Sequence, residues 1–173
     1  MNEALNGSLW PRVLTEAMAR VRPLSVLDLG CGPRTEQPEP PYAGEILSRL
    51  PRDGEYHGVD RDPIAIAAHR KLTGGDPRVA YWQGEFDAFL PTRRYDLVVT
   101  KCFVCGWFHG DQYPVIDRIR KLCRWWLLYD SFRLPGYDPL DAYLKSLGRL
   151  HTWHRQCEDN PGYTRCGLIE FPP

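Results

Sequence analysis

The stretch SVLDLGCGP, residues 25–33, decides the fold that we predict for this chain. Its first five residues form a short apolar run, which is the pattern of a buried strand. Gly30 and Gly32 follow, and because they lack a Cβ atom the backbone can turn tightly there and approach a ligand. The stretch predicts a first strand that ends in a candidate binding turn, with an ordinary tight turn as the alternative.

Apolar runs and helical patterns alternate on both sides of this stretch. Four further strands are predicted where short apolar runs occur, at 56–60, 79–83, 95–100 and 125–130. An N-terminal helix lies within residues 1–22, with apolar positions at helical spacing over 8–21 behind a Ser8 N-cap. Four more helical patterns follow along the chain. The first covers about 42–50, and the second opens with the Asp62 N-cap and Pro63. The third covers 111–123, with Cys123 on its last turn, and the fourth is an apolar stripe from Leu140 to Leu150.

The last third of the chain adds antiparallel strands to this alternation. The segment LHTWHRQC, the turn EDNPG and the segment TRCGLIEF form a predicted hairpin over 150–171. Strands that alternate with helices favour a mostly parallel sheet with helices on both faces, which the hairpin would extend. We therefore expect a single α/β domain over 1–173, with the proline-rich residues 33–41 as a loop inside it.

The composition is that of an ordinary globular protein. The chain has 173 residues, of which 43% are hydrophobic, and its 22 lysines and arginines balance 22 acidic residues. A net charge of zero argues against broad electrostatic capture of nucleic acid, although a local basic patch stays open. No run approaches the length of a membrane span, so we expect no membrane partner. Oligomeric state cannot be predicted from these features.

Six cysteines form an even set, which in a secreted protein would suggest disulfides. The first residues, however, contain no apolar core of a signal peptide. We therefore expect a cytoplasmic protein whose thiols are free and mostly buried.

Acidic side chains follow the second and third predicted strands. Asp60 ends the second strand, where a carboxylate can accept hydrogen bonds from two ribose hydroxyls. A turn or capping acid is the alternative, but Asp62 already fills the capping role. After the third strand, Glu85 or Asp87 could accept from an adenine amino group beside the Phe86 ring, or simply be solvated in a loop.

The succession VLDLGCG, HGVDRDP, WQGEFDAFLP and YDLVVT, with the later strand and hairpin, resembles the class I S-adenosylmethionine-dependent methyltransferase family over nearly the whole chain. The resemblance implies a Rossmann-like, doubly wound, three-layer α/β/α fold. Its seven-stranded sheet would have the order 3-2-1-4-5-7-6 with strand 7 antiparallel. The implied cofactor is S-adenosyl-L-methionine, with Asp28 near its methionine part. The predicted cofactor-binding set is Asp28, Gly30, Cys31, Gly32, Asp60, Arg61, Glu85, Phe86, Asp87 and Lys101.

Two features depart from this family pattern. The family often has a third glycine where this chain has Arg34, and the proline-rich loop replaces an immediate helix. Either Arg34 and the loop form a lid, with the guanidinium free to meet a carboxylate, or the pocket is altered. Dinucleotide dehydrogenases share the glycine turn, but no Tyr-X-X-X-Lys pair occurs here for short-chain dehydrogenase chemistry.

The region after the fourth strand, TKCFVCGWFHGD, is where the family builds its substrate side. His109 is the candidate general base because the unperturbed pKa of a histidine side chain is near neutral, and a surface histidine is the alternative. Aromatic residues at Tyr42, Trp107 and Tyr113 suit a small, partly apolar acceptor. No Asn or Asp followed by Pro-Pro and an aromatic occurs here, which argues against nucleobase or glutamine amino groups as acceptors.

Two cysteine and histidine groups raise the question of a metal. Cys102 and Cys105 form a CxxC with His109 nearby, which could be half of a zinc site or a redox pair. A second half would need His151, His154 and Cys157, but these residues cannot all face one way on a strand. We therefore predict no metal.

These observations predict an S-adenosylmethionine-dependent methyltransferase that methylates oxygen or nitrogen on a small molecule. The alternative is a non-catalytic or degenerate methyltransferase-fold protein that binds the cofactor or a partner protein. Arg34 and the lack of a clear catalytic motif favour the alternative.

Overall fold

A computed structural model describes residues 3–32, 43–101, 103–104, 112–132, 138–157 and 163–173. Helices and strands alternate through most of this part of the chain. Their bounds are α1 Glu3–Val21, β1 Ser25–Leu29, α2 Ala43–Arg49, β2 Glu55–Asp60, α3 Pro63–Thr73, β3 Val79–Gln83, β4 Tyr95–Lys101, α4 Gln112–Leu122, β5 Cys123–Phe132, α5 Asp138–Leu147, β6 Arg149–Cys157 and β7 Tyr163–Glu170.

The strands form one seven-stranded sheet with the order β3-β2-β1-β4-β5-β7-β6. Strands β1 to β5 are parallel neighbours, and β7 pairs antiparallel with both β5 and β6. The predicted strand order and the antiparallel seventh strand are confirmed. Because β1 to β6 all share one direction, the sheet has a carboxyl edge, where these six strands end, and an amino edge, where they begin.

Apolar side chains cover both faces of the sheet. One cluster joins Leu27 and Trp126 of the sheet to Ile116 of α4 and Leu144 of α5, all of them essentially without exposed surface. A second cluster packs α1 and α2 against the strands, with Leu14 among its fully buried members. Burial on both faces explains why the central strands have continuous apolar sequences.

The start of α3 matches the sequence prediction closely. The Asp62 side chain accepts a hydrogen bond from the Ile64 backbone N–H at 2.8 Å, and Pro63 occupies the first helical turn. Proline fits there because its missing N–H would have no partner within the helix. The helix ends at Gly74, whose φ of 59° is left-handed.

Three predicted boundaries are wrong. Helix α1 begins at Glu3 and runs through Ser8, so Ser8 is not its N-cap. Cys123 starts β5 and does not end α4, and Leu150, predicted both in the helical stripe and at the start of the hairpin, lies in β6, beyond the end of α5. In both of these cases a helix and a strand meet within two residues, and apolar spacing alone cannot separate a buried helix end from a buried strand start.

The thiols of Cys31, Cys123 and Cys166 are free and buried, as predicted for the cysteines in general. None of the helices in the described ranges combines the length and apolar character that crossing a bilayer requires.

Candidate functional site

The turn after β1 is bound to the end of the neighbouring strand. The backbone N–H groups of Gly30 and Cys31 both donate to the carbonyl oxygen of Val59, at 2.8 and 3.2 Å. Gly30 has a φ of 73°, a conformation that L side chains rarely adopt, and a Cβ atom there would lie 2.9 Å from the Phe103 ring. Glycine is therefore required for the chain to leave β1 in this direction.

Asp60, at the end of β2, braces this turn. One carboxylate oxygen accepts the Gly32 backbone N–H at 2.9 Å, and the other accepts the Asp62 backbone N–H at 2.9 Å. Each oxygen of an ionised carboxylate can accept a second hydrogen bond. Asp60 is only partly buried, so the carboxylate can hold the turn and still accept from two hydroxyls of a ligand.

Gly32 packs too closely for any side chain. A Cβ atom there would lie 2.3 Å from the Ala65 Cβ and 2.9 Å from the Asp60 Oδ2. We expect Gly32→Ala to lower the free energy of unfolding by about 1–3 kcal/mol, because the turn must move away from Asp60. Urea unfolding measures this loss. Gly44→Ala is the control, since nothing lies within 4 Å of that Cβ position in α2 and alanine should stabilise the helix slightly. Equal effects of the two substitutions would contradict the prediction.

Asp28 lies at the end of β1 with 2% of its surface exposed. Its carboxylate accepts a hydrogen bond from the Tyr56 hydroxyl at 2.8 Å. Burial, with a smaller contribution from the nearby Asp60, raises the pKa of Asp28 to about 7, against the opposing effects of the Tyr56 hydrogen bond and the Lys101 charge. Asp28 is thus a carboxyl that changes charge near neutral pH, directly before the glycine turn.

The acids after β3 are exposed, as a ligand contact requires. Side-chain exposure is 63% for Glu85 and 70% for Asp87, which flank the buried Phe86. Arg61 lies 3.8 Å from Glu85, so the segments that follow β2 and β3 meet at the carboxyl edge. The structure brings Asp60, Arg61, Glu85 and Asp87 to one edge but does not choose between the two adenine acceptors.

Arg118 of α4 holds this segment, and the sequence analysis missed it. Its guanidinium donates to the carbonyl oxygens of Asp87, at 2.9 Å, and of Phe89. It also lies 3.5 Å from the Asp87 carboxylate and 4.6 Å from the centroid of the Phe86 ring. The sequence contained a signal for this role, because Arg118 borders the apolar stripe of α4, where a charged residue needs a partner.

We expect Arg118→Met to weaken binding of an adenosine-containing ligand about 3- to 10-fold, because methionine keeps the aliphatic stem but loses the donors that fix residues 86–89. Calorimetric titration measures the affinity. Arg120→Met is the matched control. Arg120 is on the same helix and is 41% exposed, and its acidic partner is Asp117, 3.8 Å away and one helical turn earlier. The role assigned to Arg118 would be wrong if both variants bound with the same affinity.

Three other predicted cofactor-binding residues lie in packed surroundings. Phe86 is 3% exposed, and its ring meets Phe103 edge to face at 5.5 Å. Cys31 is 1% exposed, and burial raises the pKa of its thiol far above the usual value. Lys101, at the end of β4, has its Nζ 5.7 Å from the Trp10 ring centroid and 5.9 Å from that of Tyr129. Backbone atoms of Cys31 remain in the turn, whereas its side chain belongs to the core.

Most of the predicted substrate side lies outside the described residues. This holds for Tyr42, Trp107, His109, Arg34 with its proline-rich loop, and both Cys102 and Cys105. Tyr113 is described, in the first turn of α4, where it is 43% exposed and meets Tyr143 edge to face at 4.6 Å. The assignment of His109 as the base stays a prediction.

His151 has protein partners in place of a metal. Its Nε2 lies 2.8 Å from a carboxylate oxygen of Glu170, and its Nδ1 lies 3.0 Å from the Arg20 guanidinium. Because a guanidinium can only donate, Nδ1 accepts and Nε2 carries the proton given to Glu170. Within the described ranges, no three His, Cys, Asp or Glu side chains are grouped as metal ligands.

At the level of sequence, this chain has a short match to a curated protein. No family model matches the chain. A curated protein, ribosomal RNA small subunit methyltransferase H of Alcanivorax borkumensis, is 44% identical over 46 residues. That match covers 27% of this chain and 15% of the curated protein. The chain therefore spans a small part of the length of this relative.

Comparison of structures covers the whole chain. The N-methyltransferase NodS from Bradyrhizobium japonicum superimposes with a TM-score of 0.76 and 12% identity, over 100% of both chains. NodS in complex with S-adenosyl-L-homocysteine gives a TM-score of 0.74 and 12% identity, over 95% of this chain and 86% of NodS. TehB from Haemophilus influenzae gives 0.67 and 14%, over 93% of this chain and 62% of TehB. The strand order, the glycine turn and these likenesses agree, and the fold of this chain is that of the class I S-adenosylmethionine-dependent methyltransferases.

Proposed function

We propose that this chain is an S-adenosylmethionine-dependent methyltransferase that methylates oxygen or nitrogen on a small molecule. The observation that carries the proposal is the contact between Asp60 and the glycine turn. The Asp60 carboxylate, 2.9 Å from the Gly32 N–H, joins the ends of β1 and β2 at the place where a nucleoside binds in this fold. NodS, which has this fold, is recorded in complex with S-adenosyl-L-homocysteine.

The residues at the carboxyl edge fit this cofactor. A Cβ atom at Gly30 would lie 2.9 Å from Phe103 and one at Gly32 would lie 2.3 Å from Ala65, so the turn needs glycines to take the path that brings its backbone beside Asp60. Asp60 would accept from the ribose hydroxyls, and Glu85 or Asp87 from the adenine amino group. Asp28 would face the ammonium group of the methionine part, a charge pairing that favours its ionised form.

When bound, S-adenosylmethionine supplies a methyl group on a positively charged sulfur, which a nucleophile can displace. The residues of the chain then bind and orient the reactants, since such a displacement needs little more than correct positioning. A base is needed only for an acceptor that must lose a proton, and His109 is the residue proposed for that step.

A small acceptor is favoured by what the sequence contains and lacks. The substrate region has aromatic residues but no Asn or Asp followed by Pro-Pro and an aromatic. NodS, an N-methyltransferase, has a TM-score of 0.76 over the full length of both chains. These points support the proposal but leave the acceptor atom open between oxygen and nitrogen.

Calorimetric titration with S-adenosylmethionine, S-adenosylhomocysteine and NAD tests the proposed cofactor. We expect both sulfur compounds to bind and NAD to give no heat, because the residues proposed for the methionine part have no role in holding a nicotinamide. Failure of both sulfur compounds to bind would overturn the proposal. A screen of small hydroxyl and amine acceptors with methyl-labelled S-adenosylmethionine then tests catalysis. Binding without transfer to any acceptor would favour a non-catalytic protein of this fold.

A further inference from the structure

The amino edge of the sheet carries most of the positive charge of the chain. All five helices end at this edge, and each has a basic residue in its last turn, from Arg20 in α1 to Lys145 in α5. The segments that lead into the strands add further cations. Together these form what we call the basic edge: Arg20, Arg22, Arg49, Arg52, Arg70, Lys71, Arg78, Arg93, Arg94, Arg120, Lys121, Arg124, Lys145 and Arg149.

The charge at this edge is strongly unbalanced. Among the described residues it holds fourteen of the 22 lysines and arginines of the chain but only six of the 22 acidic residues. The six acids there are Asp53, Glu55, Asp76, Asp96, Glu170 and Asp117, the partner of Arg120. The basic edge thus has a formal charge of +8, and the rest of the chain must carry −8 because the total is zero. A neutral composition had hidden this separation.

Direct contacts show that the segments of the basic edge are neighbours. The Arg78 guanidinium approaches the Pro51 carbonyl oxygen at 3.5 Å, and Arg93 pairs with Glu55. Arg94 donates to the Cys123 carbonyl oxygen at 2.8 Å, which links the entrances of β4 and β5. Arg124, at the start of β5, lies 2.7 Å from Glu170, at the end of β7. The basic edge therefore crosses the sheet from β3 to β7, a width of about 25 Å at roughly 4.8 Å per strand.

Helix dipoles explain only part of this charge. Basic residues are favourable at the carboxyl end of a helix, where each macrodipole amounts to about −0.5 charge. Five helix ends would offset about 2.5 positive charges, well below the formal excess. Four cations also have acidic partners within the edge, as in the Arg78–Asp76 pair at 2.7 Å and the Arg120–Asp117 pair at 3.8 Å, but the excess already counts those acids.

The chemistry of the surface favours phosphates over other anionic partners. Eleven of the fourteen cations are arginines, whose forked guanidinium binds phosphate oxygens in pairs. Among the described residues, this surface presents two large exposed apolar side chains, Leu24 at 54% in the segment before β1 and Leu72 at 63% in the last turn of α3. A protein interface usually has a core of apolar or aromatic anchors, and a membrane-bound surface inserts such groups. A polar, cationic row is typical of contacts with a nucleic-acid backbone.

We propose that the basic edge binds the phosphate backbone of a nucleic acid. This surface lies at the opposite end of the strands from Asp60, and strands of five to seven residues separate the two edges by about 20 Å. The bound strand is therefore held away from the glycine turn, so this contact places the protein on a nucleic acid without delivering an acceptor. The proposal does not depend on the cofactor.

Fluorescence anisotropy with a labelled oligouridylate of about 20 nucleotides tests the proposal at about 50 mM salt. We expect micromolar binding that weakens with salt, with a log–log slope of about −3 for four or more neutralised phosphates. Duplex DNA should bind similarly, because a backbone contact does not read bases. The triple substitution Arg52→Glu, Lys71→Glu, Lys121→Glu replaces three exposed cations and should weaken binding at least about tenfold.

Charge and position are separated by two controls. The triple variant Arg52→Lys, Lys71→Arg, Lys121→Arg keeps every charge and should bind within about twofold of wild type. Arg12→Glu, on α1 and 60% exposed, changes the net charge as much as Arg52→Glu does but lies outside the basic edge. Circular dichroism confirms folding. No binding at low salt, equal loss with Arg12→Glu and Arg52→Glu, or stronger competition by polyglutamate or phosphatidylserine vesicles than by RNA would overturn the proposal.

Discussion

Replacing Asp60 with alanine is expected to weaken S-adenosylhomocysteine binding about 100-fold, as measured by calorimetric titration. The carboxylate is proposed to accept from two ribose hydroxyls, and hydrogen bonds to a charged group contribute about 1.5–3 kcal/mol each. Loss of about 3 kcal/mol corresponds to a factor of about 100 in affinity. The variant also loses the hydrogen bond from the Gly32 N–H to the Asp60 carboxylate, at 2.9 Å, which holds the glycine turn in place.

Asp62→Ala is the matched control for this substitution. Asp62 is two residues away and caps α3 through the Ile64 N–H at 2.8 Å. Its loss should cost about 1 kcal/mol of stability while leaving the ribose contact intact. Asp60→Asn keeps one acceptor oxygen and should fall between wild type and Asp60→Ala. If Asp60→Ala binds within about threefold of wild type, or if Asp62→Ala loses equally much, Asp60 does not hold the ribose.

Binding of S-adenosylhomocysteine is expected to strengthen about tenfold between pH 6 and pH 8. Burial raises the pKa of Asp28 to about 7, so this carboxyl is mostly protonated at the lower pH and mostly ionised at the higher one. Only the ionised form can pair with the ammonium group of the methionine part. Adenosine lacks that ammonium group, so its affinity should stay nearly constant over the same range. Parallel pH profiles for the two ligands would contradict the role of Asp28.

Asp28→Asn should stabilise the protein while removing this pH dependence. For a carboxyl with a folded pKa of about 7, above its usual 3.8, the stability is full below pH 3.8, falls as pH rises to about 7 and stays low above that pH. Asparagine stays neutral and can still accept from the Tyr56 hydroxyl. The variant should therefore unfold at a higher temperature than wild type at pH 8 and bind S-adenosylhomocysteine weakly at every pH. An unchanged unfolding temperature at pH 8 would argue against the raised pKa.

Much of the fold could be predicted because its signals are local. The strand before Gly30, the Asp62–Pro63 helix start and the final hairpin each depend on a few adjacent residues. The wrong boundaries occur where local signals conflict. Helix α1 continues towards the N-terminus beyond Ser8, and Cys123 and Leu150 lie at junctions where an apolar residue suits a helix and a strand equally well.

The contacts that complete the site depend on distant parts of the chain. Asp28 and Tyr56 are 28 residues apart, and Arg118 is 31 residues from Asp87. No spacing rule connects such pairs, because their proximity follows from the order of strands in the sheet. The sequence could therefore indicate which acids end the strands, but not that Tyr56 encloses one of them or that Arg118 fixes the segment after β3.

The separation of charge between the basic edge and the rest of the chain gives the molecule an electric dipole whose positive end is the basic edge. Near a polyanion, this dipole turns the basic edge towards the partner and leaves the carboxyl edge facing the solvent. The acids at the exposed edge also attract cations. In the proposed reaction, S-adenosylmethionine has a positive sulfur and its product a neutral one, so the field of the protein would draw in the cofactor more strongly than the product and would oppose inhibition by the product.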